Sequence, residues 1–382
     1  MQFVRPLERG PLSKGAVPAF AVLLAAVLGV GVQRATAPAD SDVALDADFV
    51  EEEVEVRHGE IVLAGTLSLP TGVVPFPAVI SITGAGAQDR DGGRTDPLEI
   101  RAAPSSMAQR GLALLRLDDR GTGGSNGNND EASLEDLVAD IAAAVDFLHR
   151  DPRIEANRVG LLGASLGGIV AAQLAARRSD IAFVVLYSVP VLPAREQLLE
   201  QNAALLRVDG LPEETVERVV EQLAEGLRWI EADVPESERR QRLRPLIEEM
   251  RRLQRQSPFD AVSERSIDVE IDAITSRGFR SQLAVDPRDA LRKLKAPVLG
   301  LYGSLDLQVE PASNARALRE ALRLGGNEDA TVEVLPRLNH LLQPAESGHP
   351  REYAQGRRSL EVLERTADWI AERVDGRGGG DR

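Results

Sequence analysis

The feature that most constrains the fold is the segment RVGLLGASLGGIVAAQLAARR at residues 158–178. It begins as a short apolar run and continues as an Ala-rich stretch, with Gly163, Ser165 and Gly167 at the junction. Small neighbours on both sides of a serine let the backbones pass closely at a strained strand-to-helix turn. The segment therefore predicts a strand, a sharp turn and a helix, with Ser165 raised at the helix N-terminus as a candidate nucleophile. An ordinary glycine turn is the alternative.

Composition narrows the chemistry that is open to the chain. Cysteine is absent from the 382 residues, which excludes disulfides, thiolate nucleophiles and cysteine-ligated metals. The net charge of -15 argues against a nucleic-acid partner, because phosphate binding requires a basic surface. Covalent catalysis would therefore use a hydroxyl, amine, carboxylate or imidazole group.

The N-terminal residues resemble a targeting segment. Three basic residues precede an uncharged apolar stretch at 15–32, which is followed by Ala35-Thr36-Ala37. This pattern predicts that residues 1–37 are a secretory signal peptide or an uncleaved membrane anchor, with 15–32 as a possible membrane tether. Either one would export the rest of the chain to the periplasm or the cell exterior. A buried core helix is the remaining alternative.

Alternating short apolar runs and helical segments indicate an α/β fold. The sequence VEVRHGEIVLAGTLSLP alternates on both sides of His58-Gly59 and predicts an antiparallel hairpin. Short apolar runs that are typical of buried parallel strands follow at 77–84, 113–121, 158–165, 182–188, 297–303 and 331–336. A helix at 133–150 begins with Ser133 and Asp136, close to a capping box. We expect a mostly parallel sheet with helices on both faces.

The strand pattern stops between residues 191 and 285, where Glu, Arg and Leu are abundant. Apolar residues at helical spacing predict a helical cap, or lid insertion, over the carboxyl edge of the sheet; an independent interaction domain is the alternative. The catalytic domain then comprises residues 51–190 and 286–375. Residues 38–50 are predicted to be a linker and residues 376–382 a disordered tail.

The order of residues along the chain selects a base for Ser165. In strand-turn-helix hydrolases the acid and then the histidine follow the serine. His58 and His149 precede Ser165 and do not fit this order. His340 directly follows the last strand-like run and is the predicted base, whereas His349 lies further along in a Gly-Pro turn and is its competitor.

The acid and the oxyanion hole follow from the same order. Asp306 lies three residues after the run at 297–303 and is the predicted partner of His340, with Glu310 as second choice. An oxyanion hole needs one N–H after the nucleophile and one from the loop after the third strand. These donors are predicted to be the backbone amides of Leu166 and Ala85.

Charged residues cluster on two loops at the same edge of the sheet. They are Asp89, Arg90 and Asp91 on one loop and Asp118, Asp119 and Arg120 on the other. We interpret the cluster as an ion network that braces the loops, because arginine among carboxylates opposes a divalent cation. Contact with substrate or a metal is the alternative, although no zinc-type spacing is present.

Five segments together resemble a known family. GAGAQDRDG, LRLDDRGTGGS, GLLGASLGG, YGSLDLQV and LNHLLQP occur in this order. From about Val54 to Ile370, the insertion excepted, the chain resembles α/β-hydrolase-fold serine esterases of the branch close to prolyl-oligopeptidase-like and dienelactone-hydrolase-like enzymes. Thr83-Gly84 stands where many relatives have His-Gly.

The resemblance implies a cofactor-free serine hydrolase that cleaves a small-molecule carboxylic ester through an acyl-enzyme. A peptidase, amidase or thioesterase of the same fold is the alternative enzyme. A non-catalytic binding protein that uses the cap as a partner surface is the alternative from another class.

Overall fold

The structure is a computed structural model that describes residues 49–94, 96–254, 266–353 and 356–374. The predicted signal or anchor, nearly all of the predicted linker and the predicted tail lie outside these residues. Within the described ranges, no helix has the length and apolar character needed to span a bilayer.

In the described part of the chain, eight strands form one sheet in the order β1-β2-β4-β3-β5-β6-β7-β8. They are β1 (Phe49–His58), β2 (Ile61–Pro70), β3 (Phe76–Ile82), β4 (Ala113–Leu117), β5 (Ile154–Ala164), β6 (Val184–Tyr187), β7 (Val298–Gly303) and β8 (Ala330–Leu335). The hairpin of β1 and β2 is antiparallel, β2 pairs with β4 antiparallel, and every pair from β4 to β8 is parallel. The predicted hairpin and mostly parallel sheet are confirmed.

Helices cover both faces of the sheet, as predicted. They are α1 (Pro97–Ala108), α2 (Leu134–Arg150), α3 (Leu166–Ala175), α9 (Pro287–Leu291), α10 (Pro311–Leu324) and α11 (Leu360–Val374). Helices α2, α3, α9 and α10 pack on one face, and α1 and α11 pack on the other. The central strands are buried on both faces, which explains why they read as continuous apolar runs.

Helix α2 begins where its sequence predicted. The Ser133 hydroxyl accepts from the backbone N–H of Asp136, and the Asp136 carboxylate accepts from the backbone N–H of Ser133. This reciprocal capping box satisfies two amides that the helix itself leaves unpaired.

Within the described ranges, five helices lie between β6 and α9, in the segment where the insertion is predicted. They are α4 (Ala194–Val208), α5 (Glu213–Glu231), α6 (Glu236–Gln254), α7 (Ile267–Thr275) and α8 (Arg277–Leu283). The predicted stripe that includes Val219 and Leu223 on α5 packs with Leu243 and Ile247 on α6 in an apolar cluster of its own. The insertion therefore has its own core, and α8 contacts both α2 and α4.

Candidate active site

The turn at Ser165 has the strained geometry that the sequence predicted. Ser165 has φ 52° and ψ -121°, immediately after β5 and before α3. A Cβ atom on Gly163 would lie 2.2 Å from the carbonyl oxygen of Gly167, and a Cβ atom on Gly167 would lie 2.2 Å from that of Thr83. Glycine at 163 and 167 is therefore required for the close contact between β5, α3 and the loop after β3.

His340 and Asp306 are hydrogen-bonded and buried. His340 Nδ1 lies 2.8 Å from Asp306 Oδ2. Asp306 Oδ1 accepts from the backbone amides of Gln308 at 2.8 Å and Val309 at 2.9 Å. Because both carboxylate oxygens are occupied, the carboxylate is fixed in orientation. With Nδ1 held by Asp306, Nε2 is the nitrogen that His340 can offer to another group.

The loop that carries His340 is ordered by residues that sequence reasoning missed. The fully buried Asn339 accepts through Oδ1 from the backbone amides of Leu341 at 3.0 Å and Gln343 at 3.1 Å. Tyr353 accepts from Gln308 Nε2 at 3.0 Å, and burial, followed by the charge of Asp306, raises the pKa of its phenol. The Tyr353 contact joins distant parts of the chain, so no local pattern indicates it, whereas the short-range Asn339 contacts form a turn that its asparagine could have indicated.

Ala85 and Leu166, the predicted oxyanion donors, line the same cavity as Ser165. A Cβ atom built on Gly84 would lie 3.5 Å from the Cβ of Ser165, so the loop after β3 passes close to the serine. Within the described chain, neither the Ala85 nor the Leu166 amide donates to a backbone or side-chain acceptor. Both amides are thus available to a ligand, and Leu166 begins α3, whose N-terminus favours negative charge.

Asp119 binds the loop that carries Ala85. The sequence did not predict this contact. The Asp119 carboxyl oxygens lie 2.7 and 2.8 Å from the Thr83 hydroxyl, and Oδ2 accepts from the Gln88 amide at 2.9 Å. The pKa of Asp119 is raised to about 7, chiefly by burial; the hydrogen bonds from Thr83 and Gln88 oppose this shift, and the charges of Asp118 and Asp140 add to it. Asp119 therefore binds both ends of the loop that carries Ala85, at Thr83 and at Gln88.

Four of the other five members of the charged cluster form ion pairs, in line with the predicted bracing network. Arg90 binds Asp118 through both Nε and Nη2, at 3.0 and 2.9 Å. Arg120 Nη2 donates to Asp140 at 2.8 Å, which ties the loop after β4 to α2. Asp89 accepts from the Gly93 amide at 2.8 Å and shapes its own loop.

One cavity of about 160 Å³ brings four of the five predicted site residues together. Ser165, Leu166, Ala85 and His340 line it. The other walls are mostly apolar and come from α3, the insertion and the loop after β7: Ile169, Leu198, Phe279, Leu283, Val285 and Val309. Asp306 does not line this cavity, which we call the Ser165 cavity; it lies behind His340 and contacts its ring.

The other three histidines and Glu310, the second choice for the acid, bind other residues. His349 Nε2 lies 2.8 Å from Asp209 at the end of α4, away from the Ser165 cavity. Glu310 caps α10 by accepting from the amides of Ala312 and Ser313. His58 lies 3.6 Å from Asp140, and His149 lies 3.7 Å from Asp180.

The fold and the site define an α/β hydrolase. The family described as Serine aminopeptidase, S33, matches residues 101–346, which is more than half of the chain. The chain belongs to this family. The predicted resemblance to α/β-hydrolase-fold enzymes is thereby confirmed.

Known proteins with similar sequences or folds include several hydrolases. Esterase EstD of Thermotoga maritima is 24% identical over 324 residues, covering 84% of this chain and 68% of EstD. The Pyrococcus furiosus esterase PF2001 superposes with a TM-score of 0.51 at 15% identity, covering 89% of this chain and 95% of that one. The α/β hydrolase GrgF of Penicillium sp. sh18 gives 0.52 at 17% identity, covering 85% and 98%. At these identities the structural likeness concerns the fold.

Proposed function

We propose that this protein is a serine hydrolase that cleaves carboxylic esters with Ser165 as nucleophile, His340 as base and Asp306 as the acid that orients it. The observation that carries the proposal is the Ser165 cavity, which joins Ser165, His340 and the two unused amides while Asp306 holds His340 Nδ1. The likeness to esterase EstD supports an ester as the substrate class.

The reaction uses groups of this chain alone. Ser165 Oγ attacks the acyl carbon while its proton passes to His340 Nε2, and the amides of Ala85 and Leu166 stabilise the oxyanion. The ester C–O bond then breaks, and the alcohol leaves with the proton from His340. Water, deprotonated by His340, hydrolyses the acyl-enzyme and frees the acid and Ser165. Asp306 stabilises the imidazolium in both halves.

The size and polarity of the Ser165 cavity favour a short acyl group. An apolar protein cavity of roughly 150 Å³ accommodates a ligand the size of benzene. The Ser165 cavity has a volume of about 160 Å³ and mostly apolar walls. We therefore expect acyl chains of about four to six carbons to fit, and chains of about twelve to require displacement of the insertion helices.

A panel of p-nitrophenyl acetate, butyrate, hexanoate and dodecanoate tests the proposal. Butyrate and hexanoate should give the highest kcat/KM, and Ser165→Ala should abolish turnover. Ser313→Ala on α10 is the matched control and should keep full activity. A well-folded protein without turnover of any ester would contradict the proposal and favour the binding-protein alternative.

An aminopeptidase is the second candidate, because an acidic residue lies among those that line the Ser165 cavity. Asp130 lies in the cavity wall and is suited to attract the ammonium group of a peptide N-terminus. Alanine p-nitroanilide distinguishes the two functions. Its hydrolysis with a higher kcat/KM than the esters, lost in Asp130→Asn, would favour the aminopeptidase.

The same proposal places the enzyme outside the cytoplasm, through the predicted signal or anchor at residues 1–37. Fractionation of cells that produce the full chain tests this: activity in the periplasm, medium or membrane is expected. Activity confined to the cytosol would contradict it.

A further inference from the structure

A second, larger cavity lies on the other side of the loop that follows β3. Its volume is about 500 Å³, and it lies among β3, β4, β5, α1 and the N-terminal end of α11. Leu114 and Leu162 form part of its floor, and Leu98 and Leu363 contribute apolar walls. Among the described residues, none lines both this cavity and the Ser165 cavity. We call it the arginine cavity.

Five arginines line the arginine cavity: Arg90, Arg94, Arg116, Arg357 and Arg358. Three of them are neutralised by ion pairs: Arg90 with Asp118, Arg116 with Asp91 and Arg357 with Asp96. In the described part of the chain, no carboxylate oxygen lies within 4.0 Å of a side-chain nitrogen of Arg94 or Arg358. Two positive charges therefore face this cavity without a paired carboxylate.

Arg358 is poorly compensated by its surroundings. Its Nε is shielded from water and has no acceptor in the described structure, and its guanidinium lies 5.6 Å from the centre of the Tyr187 ring. Burial, followed by the charge of Arg94, lowers the pKa of Arg358 to about 10. Glu99 also lines the cavity and partly offsets the charge of Arg358, but its Oε1 lies 4.0 Å from Nε of Arg357; burial raises the pKa of Glu99, and the charges of Arg94, Arg357 and Arg358 oppose that shift. An added anion would relieve the repulsion between Arg358 and Arg94.

We propose that the arginine cavity binds a small organic anion whose carboxylate or phosphate is held by Arg94 and Arg358. The planar guanidinium group presents paired donors that match the oxygens of either anion. The adjacent Leu98, Ala103 and Leu363 provide an apolar surface for the rest of the molecule. This site is independent of the proposed esterase activity, because its ligand does not contact Ser165 or His340.

Isothermal titration of the full chain with benzoate, inorganic phosphate and the neutral benzamide tests the proposal. Benzoate or phosphate should bind, and benzamide should bind at least tenfold more weakly than benzoate. Tighter binding of benzoate would assign the site to carboxylates, and tighter binding of phosphate would assign it to phosphate esters. Arg358→Gln and Arg94→Gln should each weaken the preferred anion at least tenfold.

Arg57→Gln is the control, since Arg57 is exposed on the β1 hairpin and pairs with Glu55. It should leave anion binding unchanged. Arg94→Gln alone still decides the question if Arg358→Gln does not fold. No binding of either anion at 10 mM, benzamide binding equal to that of benzoate, or unchanged anion binding in a folded Arg94 or Arg358 variant would each overturn the proposal. Ester turnover is not the readout, so failure here leaves the proposed function standing.

Discussion

His340 Nδ1 and Asp306 Oδ2 lie 2.8 Å apart, although 34 positions separate the two residues in the chain. The contact forms because β7 and β8 are adjacent and parallel, so the loops after them emerge at the same edge of the sheet. Both side chains are buried, so water competes little for this hydrogen bond. It fixes the tautomer and the orientation that a general base needs.

Replacing Asp306 should remove catalysis while leaving the site in place. Asp306→Asn keeps the shape of the side chain but loses the charge that stabilises the imidazolium. We expect kcat to fall by about 10³–10⁴-fold, with the unfolding temperature changed far less than activity.

The matched control for Asp306 is Glu310→Gln on the same loop. Glu310 caps α10 through two backbone amides, so this variant should lose about 1 kcal/mol of stability and keep its kcat. Loss of activity in Glu310→Gln with retention in Asp306→Asn would reverse the assignment of the acid.

The two C-terminal histidines should differ sharply in their contribution to activity. His340→Gln removes the base from the Ser165 cavity, and we expect a loss of kcat of about 10³-fold or more. His349→Gln changes the contacts with Asp209 and with the Arg351 amide, both away from Ser165, so it should change stability and not kcat. Steady-state kinetics with p-nitrophenyl butyrate measures both, and equal losses in the two variants would contradict the assignment.

Glycine at position 167 should be indispensable. A methyl group there would lie 2.2 Å from the Thr83 carbonyl oxygen, so Gly167→Ala forces apart α3 and the loop that carries Ala85. We expect a loss of about 1–3 kcal/mol in unfolding free energy together with a large loss of kcat.

Gly226→Ala in helix α5 is the control for this glycine. A Cβ atom at position 226 would lie 3.8 Å from Leu243 Cδ2, which is an ordinary van der Waals contact. Alanine also favours the helix more than glycine does. Urea denaturation should show a gain of up to about 1 kcal/mol. A stabilised, active Gly167→Ala would show that the turn is not as closely packed as described.

Asp119 should position the loop that carries Ala85. Asn at this site can still accept from the Gln88 amide and donate to the Thr83 hydroxyl, but it loses the charge that strengthens both hydrogen bonds when Asp119 is ionised. We expect Asp119→Asn to lower kcat by about 10- to 100-fold with little change in KM. Asp89→Asn, on the loop after β3 but bound to the Gly93 amide, should stay within about twofold of the native kcat. Unchanged kcat in Asp119→Asn would exclude the positioning role.

The same residue predicts a pH effect on stability. The folded-state pKa of Asp119, about 7, lies above the ordinary value of 3.8, so the folded chain keeps a proton that the unfolded chain releases. This contribution is fully present below pH 4 and is lost as pH rises through 7. The unfolding free energy of the native protein relative to Asp119→Asn should fall by roughly 3 kcal/mol between pH 5 and 8. A constant difference would contradict the raised pKa.

The sequence could predict the parts of this molecule that depend on local pattern. The apolar runs predicted the strands, the Ser133 capping box predicted the start of α2, and Gly163 and Gly167 predicted the turn at Ser165. The sequence could not predict contacts between distant segments. For example, Asp119 binds Thr83 and Gln88 only because β3 pairs with β4. In the sequence, such a carboxylate cannot be distinguished from an ordinary loop residue, because its partners come close to it only when the strands pair.

The most direct test of the central claim is the site of covalent labelling by a fluorophosphonate. Peptide mass spectrometry of the labelled full chain should find one phosphonyl group on Ser165. Labelling should vanish in Ser165→Ala and slow strongly in His340→Gln. Modification of another residue, or undiminished labelling of Ser165→Ala, would contradict the assignment of Ser165 as the nucleophile.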